Sequence, residues 1–221
     1  MSSLLRANSS MPSSVSGAAT EKQLTLAMAN ELADLLEKRG RVRVALTRGD
    51  DSYLTLEDRA EVARRLGAAM FVSLHMDSAP NPLARGASVY SLSDVASDAE
   101  AARFAAMDKG SADSVEGGGT VQSMLADLVM RSQMSASADL ATRLVKRSAG
   151  RFELRPEPHK FAAFHVLRSA HTPAVLFEAG YLSNADDEAA LATPAGRAPR
   201  THARCREPAP RSAAASSAPK R

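Results

Sequence analysis

Three short pieces of this chain carry side chains suited to acid–base or metal chemistry. In VLFEAGYLSN, Glu178 follows three large apolar residues and precedes Ala179 and Gly180, so its carboxylate leaves a buried strand at a tight turn. Poor solvation raises the pKa of such a carboxylate and suits it to general acid or base work near neutral pH. A second reading fits the same placement: the carboxylate accepts backbone N–H groups of the Gly180 turn and does no chemistry. In FVSLHMDS, His75 closes an apolar run and reads either as a functional imidazole or as a hydrogen-bonded residue at a strand end. Glu21 opens an amphipathic run, where the helix macrodipole alone accounts for an acidic side chain.

Other chemistries lack their residues. The chain has no HExxH pair, phosphate loop or dinucleotide fingerprint, and the run Gly117 to Gly119 is not followed by a lysine at phosphate-loop spacing. No GxSxG elbow occurs. His159, His165 and His171 recur every six residues, a spacing that does not align them on one helix face. Cys205 is the one cysteine and lies in a Pro-rich stretch without a nearby base. A lone cysteine excludes an intrachain disulfide framework and a Cys-rich zinc site, so a metal would rest on His and carboxylate ligands.

The elements that must position these groups follow from periodicity. Leu24, Met28, Leu32, Leu35 and Leu36 lie on one helical face, and Gly40 supplies a left-handed stop. Val42, Val44 and Leu46 alternate as in a strand. Thr55 and Asp58 form a capping-box pattern that opens a helix ending near Leu66 and Gly67. Residues 69–75 form a short apolar run suited to a strand covered on both faces. Further along, 86–92 reads as a strand, 96–107 as a helix, and 108–120 as a polar Gly-rich loop. Two helices are expected over 121–133 and 136–148, the first carried by Met124, Leu125, Leu128 and Val129. Strands are expected over 161–167 and 174–178, then a helix from Asp186 to Leu191, beyond which prolines break anything longer.

Helices alternating with short buried strands give an α/β fold: a single open twisted sheet flanked by helices on both faces, with functional groups beyond the strand ends. The 221 residues, 44% of them apolar, suffice for one compact domain with tails. Residues 1–20, rich in Ser, Ala and Gly, read as a disordered or remnant segment, 21–192 as the folded domain, and 193–221 as a basic, Pro- and Ala-rich disordered tail. Neither an apolar run of signal-peptide length nor one of membrane-spanning length is present, so no export signal and no transmembrane segment are expected. The formal net charge of +3 conceals a division, because seven Lys/Arg against one Glu lie from Arg197 onward and the preceding body is acidic. A basic stripe on the body is missing, and nucleic acid is not an expected partner.

The order of the segments EKQLTLAMANELADLLEKRG, VALTRGDDSYLTLEDRAEVARRLGAAMFVSLHMDSAP, GASVYSLSD and FHVLRSAHTPAVLFEAGYLSNADDEAAL, spanning about residues 14–191, resembles the zinc-dependent N-acetylmuramoyl-L-alanine amidases of the amidase-3 family. The resemblance implies a peptidoglycan hydrolase that cleaves the amide between N-acetylmuramic acid and the L-alanine of the stem peptide by zinc-activated water. It also implies a location in the periplasm or outside the cell, and peptidoglycan or muropeptides as the partner. Carried over residue by residue, Glu21 and His75 match two zinc ligands and Glu178 the catalytic carboxylate, while Arg48 and Arg59 fall in familiar positions.

The chain also departs from the family pattern. A DPGHGG-like turn carrying the first histidine ligand has no counterpart, since no histidine precedes His75. The first strand of the sheet is accordingly expected to be missing. Asp77 replaces the asparagine usual two residues after the second histidine. Two further readings follow: an active enzyme with a substitute ligand such as His165 or a water, or a catalytically dead or truncated relative that acts as a muropeptide-binding module.

Overall fold

The computed structural model describes residues 2–7, 20–108 and 121–203. The expected Gly-rich loop over 109–120, the tail beyond 203 and Cys205 lie outside the described residues. Among the described residues six strands form one sheet: β1 (Ser2–Ala7), β2 (Arg43–Leu46), β3 (Met70–His75), β4 (Ala87–Leu92), β5 (Leu154–Ala162) and β6 (Ala174–Glu178). Their order across the sheet is β2-β1-β3-β6-β4-β5. β1, β2, β3 and β6 run parallel, and β4 runs antiparallel to β6 with β5 alongside it.

The anticipated α/β class holds, but the first strand is present. Ser2–Ala7 sits inside the sheet, with Leu5 in register with Leu46 of β2 on one side and Val72 of β3 on the other. The reading of 1–20 as disordered or remnant is therefore corrected at Ser2–Ala7. The segment SSLLRA offers one Leu pair between Ser and Arg, and lacks the continuous apolar run by which a central parallel strand is recognised. Its strand state comes from the backbone hydrogen-bonding groups of β2 and β3, which would otherwise lack partners on that side.

Seven helices surround the sheet among the described residues: α1 (Glu21–Lys38), α2 (Leu56–Arg65), α3 (Ala99–Met107), α4 (Val121–Ser148), α5 (His165–Ser169), α6 (Ala185–Ala192) and α7 (Pro194–Ala203). Alternate residues of each strand feed two cores. On one face Val72, Leu74, Val175 and Phe177 pack with Leu24, Met28 and Leu32 of α1, Ala141 of α4 and Leu191 of α6. On the other, Phe71, Tyr90 and Leu176 pack with Ala63 of α2, Ala101 and Phe104 of α3, and Val166 and Leu167 of α5. The capping box and the two glycine stops read from sequence are made: Thr55 accepts the Asp58 N–H at 3.1 Å and Asp58 accepts the Thr55 N–H at 3.2 Å, while Gly40 and Gly67 take positive φ after α1 and α2.

Other expectations shift. The two helices expected over 121–148 are one 28-residue helix, since Met134 and Ser135 contain no breaker, and Met124, Leu125, Leu128 and Val129 are exposed rather than core-facing. The strand expected over 161–167 is displaced to Leu154–Ala162. Pro156 and Pro158 obscure it in sequence, yet β5 is an edge strand, where a missing N–H is tolerated.

A helix also extends into the supposed tail. Pro194 starts α7, a position at which its missing N–H has no intrahelical partner in any case. Arg197 forks onto Glu31 of α1 through Nε at 3.1 Å and a terminal nitrogen at 2.5 Å, and donates to the Leu191 carbonyl at 2.7 Å. A Cβ on Gly196 would collide with the Ala190 backbone carbonyl. Gly196→Ala is thus expected to destabilise the protein by about 1–3 kcal/mol, the usual cost of overpacking, seen as a lower midpoint in a urea titration with the slope unchanged.

Candidate active site

Strand order dictates where the site forms. From β1 the chain moves outward through α1 to β2, then back through α2 to β3 on the other flank of β1. The sheet therefore has a switch point between β1 and β3, and ligand sites of open α/β sheets form there, beyond the carboxyl ends of the strands. Glu21 opens α1, the helix that follows β1, and His75 is the last residue of β3. Glu178 ends β6 in register with His75. Side chains in register share a face, so the geometry brings together the three residues singled out from sequence.

Each is fixed locally. The first turn of α1 is capped by Gln23, whose side chain accepts the Thr20 N–H at 3.0 Å. Arg48, buried, donates to the Lys22 carbonyl at 2.7 Å and the Asp50 carbonyl at 2.6 Å, clamping the loop after β2 to the turn that carries Glu21. Arg59, also buried, donates through Nε to the Leu54 carbonyl at 3.0 Å. Both arginines thus hold backbone. His75 Nε2 lies 2.9 Å from the hydroxyl of Ser73, two residues back on the same strand face. With the proton on Nε2 and Ser73 accepting it, Nδ1 keeps its lone pair, the usual arrangement behind a metal-binding imidazole.

Nδ1 points at two carboxylates. It lies 3.7 Å from Glu21 Oε1 and 3.8 Å from Asp77 Oδ1, and the three ligand atoms all fall within 4.8 Å of one another. Glu21 and His75 are buried and Asp77 is half-buried. Two oxygen donors and one imidazole nitrogen are a donor set suited to zinc, and tetrahedral coordination at about 2.1 Å separates ligand atoms by roughly 3.4 Å, close to the spacings observed. Two carboxylates in low dielectric repel unless a cation or proton stands between them. The residues present therefore fit a divalent ion.

Glu178 adjoins this cluster without joining it. Its Oε1 accepts the Asp77 N–H at 2.9 Å. Burial, followed by the charges of Asp77 and Glu21, holds its pKa well above the ordinary carboxylate range, against the opposing effect of that hydrogen bond. Across β6 its partner in register is Ser88 of β4, whose buried hydroxyl has no hydrogen bond among the described residues.

The turn after Glu178 hangs on a buried carboxylate that sequence reading did not single out. Asp187 accepts the Gly86 N–H at 2.8 Å and the Tyr181 N–H at 3.0 Å, and faces Arg200 of α7 at 3.5 Å. Gly180 has φ of 148°, and a Cβ there would meet the Asp187 carboxylate. Asn184 caps α6 by accepting the Asp186 and Asp187 N–H groups at 3.2 and 3.3 Å.

The remaining histidines are not drawn in. His165, weighed as a substitute ligand, lies 3.1 Å from Glu57 of α2 instead. His159 contacts Ser91 at 2.9 Å, and burial lowers its pKa. Asp77, and not His165, lies beside Glu21 and His75. Its signal in sequence was faint, a carboxylate two residues past His75.

Comparison with known proteins identifies the family and the fold. The profile of the amidase-3 family, N-acetylmuramoyl-L-alanine amidase, matches residues 9–204. Among curated proteins, N-acetylmuramoyl-L-alanine amidase AmiA of Escherichia coli (strain K12) is 33% identical over 183 residues, covering 80% of this chain and 63% of that protein. The probable amidase AmiB of Haemophilus influenzae is 33% identical over 180 residues, covering 77% of this chain and 42% of that one. The chain thus spans less than two thirds of the length of these relatives. Among solved structures, the amidase Ami1 of Mycobacterium smegmatis superposes with a TM-score of 0.62 at 20% identity over 92% of each chain, a likeness of fold.

Proposed function

This chain belongs to the N-acetylmuramoyl-L-alanine amidase family, and from that premise we propose that it is a zinc-dependent peptidoglycan hydrolase. Its substrate is the amide joining N-acetylmuramic acid to the L-alanine of the stem peptide. The observation that carries this reading is the meeting of Glu21, His75 and Glu178, three positions far apart in sequence, at the switch point of the sheet. Its place of action is where the substrate lies, in the periplasm or outside the cell, and among the described residues no helix is long and apolar enough to cross a membrane.

Glu21 and His75 would hold the ion. Bound there, zinc supplies Lewis-acid polarisation of the scissile carbonyl and activation of water near neutral pH. Glu178 is the proton carrier. Its Oε1 is anchored by the Asp77 N–H, so Oε2 takes the proton from the attacking water and returns it to the leaving amine of L-alanine. The raised proton affinity of this carboxylate suits the double role, because a base must hold the proton long enough to deliver it as an acid. Ser73 orients the imidazole, and Arg48 fixes the helix end that presents Glu21.

A second reading has one observation in its favour. Residues 8–20, which join β1 to α1, contain no His, Cys, Asp or Glu, and a chain lacking one family ligand serves as a muropeptide-binding module without hydrolysis. Incubation with purified peptidoglycan separates the two. Hydrolysis predicts release of free stem peptides with a new L-alanine amino terminus, abolished by a chelator and restored by zinc; binding to peptidoglycan with no released peptide at any zinc concentration favours the module.

A further inference from the structure

We propose that Asp77 is the third protein ligand of the ion, so that this chain builds a Glu–His–Asp centre from Glu21, His75 and Asp77. The inference rests on the metal-dependent reading above and extends it to a residue for which the family pattern predicts no such role.

Three observations support it. Residues 8–20, which join β1 to α1, contain no His, Cys, Asp or Glu, so that connection supplies no metal-binding side chain. The Asp77 carboxylate meets the other two ligands, with Oδ1 3.8 Å from His75 Nδ1 and all three donor atoms within 4.8 Å. Finally, the backbone of Asp77 is held at both polar groups: its N–H donates to Glu178 Oε1 at 2.9 Å, and its carbonyl accepts the Leu182 N–H at 2.9 Å. A carboxylate on so constrained a backbone is aimed before any ion arrives, which lowers the entropy lost on binding.

The substitution has a chemical consequence. Two carboxylates and one imidazole carry two negative charges and supply harder donors than two imidazoles and one carboxylate. Oxygen-rich sets favour manganese relative to nitrogen-rich ones, so this site should discriminate less between zinc and manganese when Asp77 is intact than when it is replaced by an imidazole.

The test is metal binding by the full chain, read by calorimetry and by metal stoichiometry after dialysis, with the visible spectrum of the Co²⁺-loaded protein as an independent report on the ligands. The variants are Asp77→Asn, Asp77→His, Glu21→Gln and His75→Ala. Loss of an outer hydrogen-bond partner costs metal sites roughly 10- to 100-fold in affinity, so loss of a direct ligand in Asp77→Asn should weaken zinc by about 100-fold or more and alter the Co²⁺ spectrum. Asp77→His should retain zinc and bind manganese less well than the parent. If Asp77→Asn binds zinc as tightly as the parent while Glu21→Gln and His75→Ala lose it, the Asp77 assignment is overturned and the metal-dependent function stands. If the folded parent chain binds neither zinc nor manganese, both fail together. Should Asp77→Asn not fold, Asp77→His decides, with unchanged metal preference overturning the assignment.

Discussion

Glu178→Gln is expected to reduce stem-peptide release by about 10²- to 10⁴-fold, the span attributed to a positioned general acid or base, while the protein stays folded. The amide is nearly isosteric, and its oxygen still accepts the Asp77 N–H that now meets Glu178 Oε1 at 2.9 Å. What is lost is the site at which a proton is received and returned. Stability should not suffer, because burial and the charges of Asp77 and Glu21 already oppose ionisation at this position, and a neutral amide carries no such penalty. Chromatographic assay of released peptides, paired with thermal unfolding, checks both parts. Hydrolysis near the parent rate in a folded variant would remove Glu178 from the mechanism.

Asp187→Ala is expected to cost about 3–5 kcal/mol, the range for removing one partner of a buried ionic cluster. The carboxylate receives the Gly86 and Tyr181 N–H groups and faces Arg200, so its removal strands two buried backbone donors and takes the facing carboxylate from a buried guanidinium. Arg200 also donates to the Ala179 carbonyl at 2.7 Å, which ties the loss directly to the residue after Glu178. The midpoint in a denaturant titration should fall steeply. Asp187→Asn should fall less, since one amide oxygen still serves the two N–H groups. Equal stability of Asp187→Ala and the parent would show that the turn after β6 is held by other contacts.

How much of this was legible in the sequence differs from residue to residue. Leu24, Met28 and Leu32 follow helical period and are buried; Thr55, Asp58, Gly40 and Gly67 mark helix ends by local chemistry that needs no distant partner. Glu178 and His75 stood out because each closes an apolar run, and strand ends are where an open α/β sheet collects function. Glu21 was unremarkable as a helix-start residue until the linear order of motifs was considered. The helix faces, caps and strand ends are legible because their causes lie within a few residues.

The failures share a different cause. Ser2–Ala7 is a strand because β2 and β3 flank it, and its own side-chain pattern is too short and mixed to announce that state. Prolines argued against a helix beyond Leu191 when taken locally, yet Glu31 and the Leu191 carbonyl, both supplied by other elements, anchor α7 through Arg197, and an edge position accommodates Pro156 and Pro158 of β5. Asp77 looked like a one-residue departure from a motif. Its neighbours Glu21 and Glu178 lie 56 residues before it and 101 residues after it, so its place beside these side chains and His75 arises only when strands and a helix start converge. Periodicity and capping thus determined from sequence alone most of the helices and the strand ends at which His75 and Glu178 stand. Which of those residues face one another was decided by strand order and register, since electrostatics and coordination act over a few ångströms in space rather than along the chain.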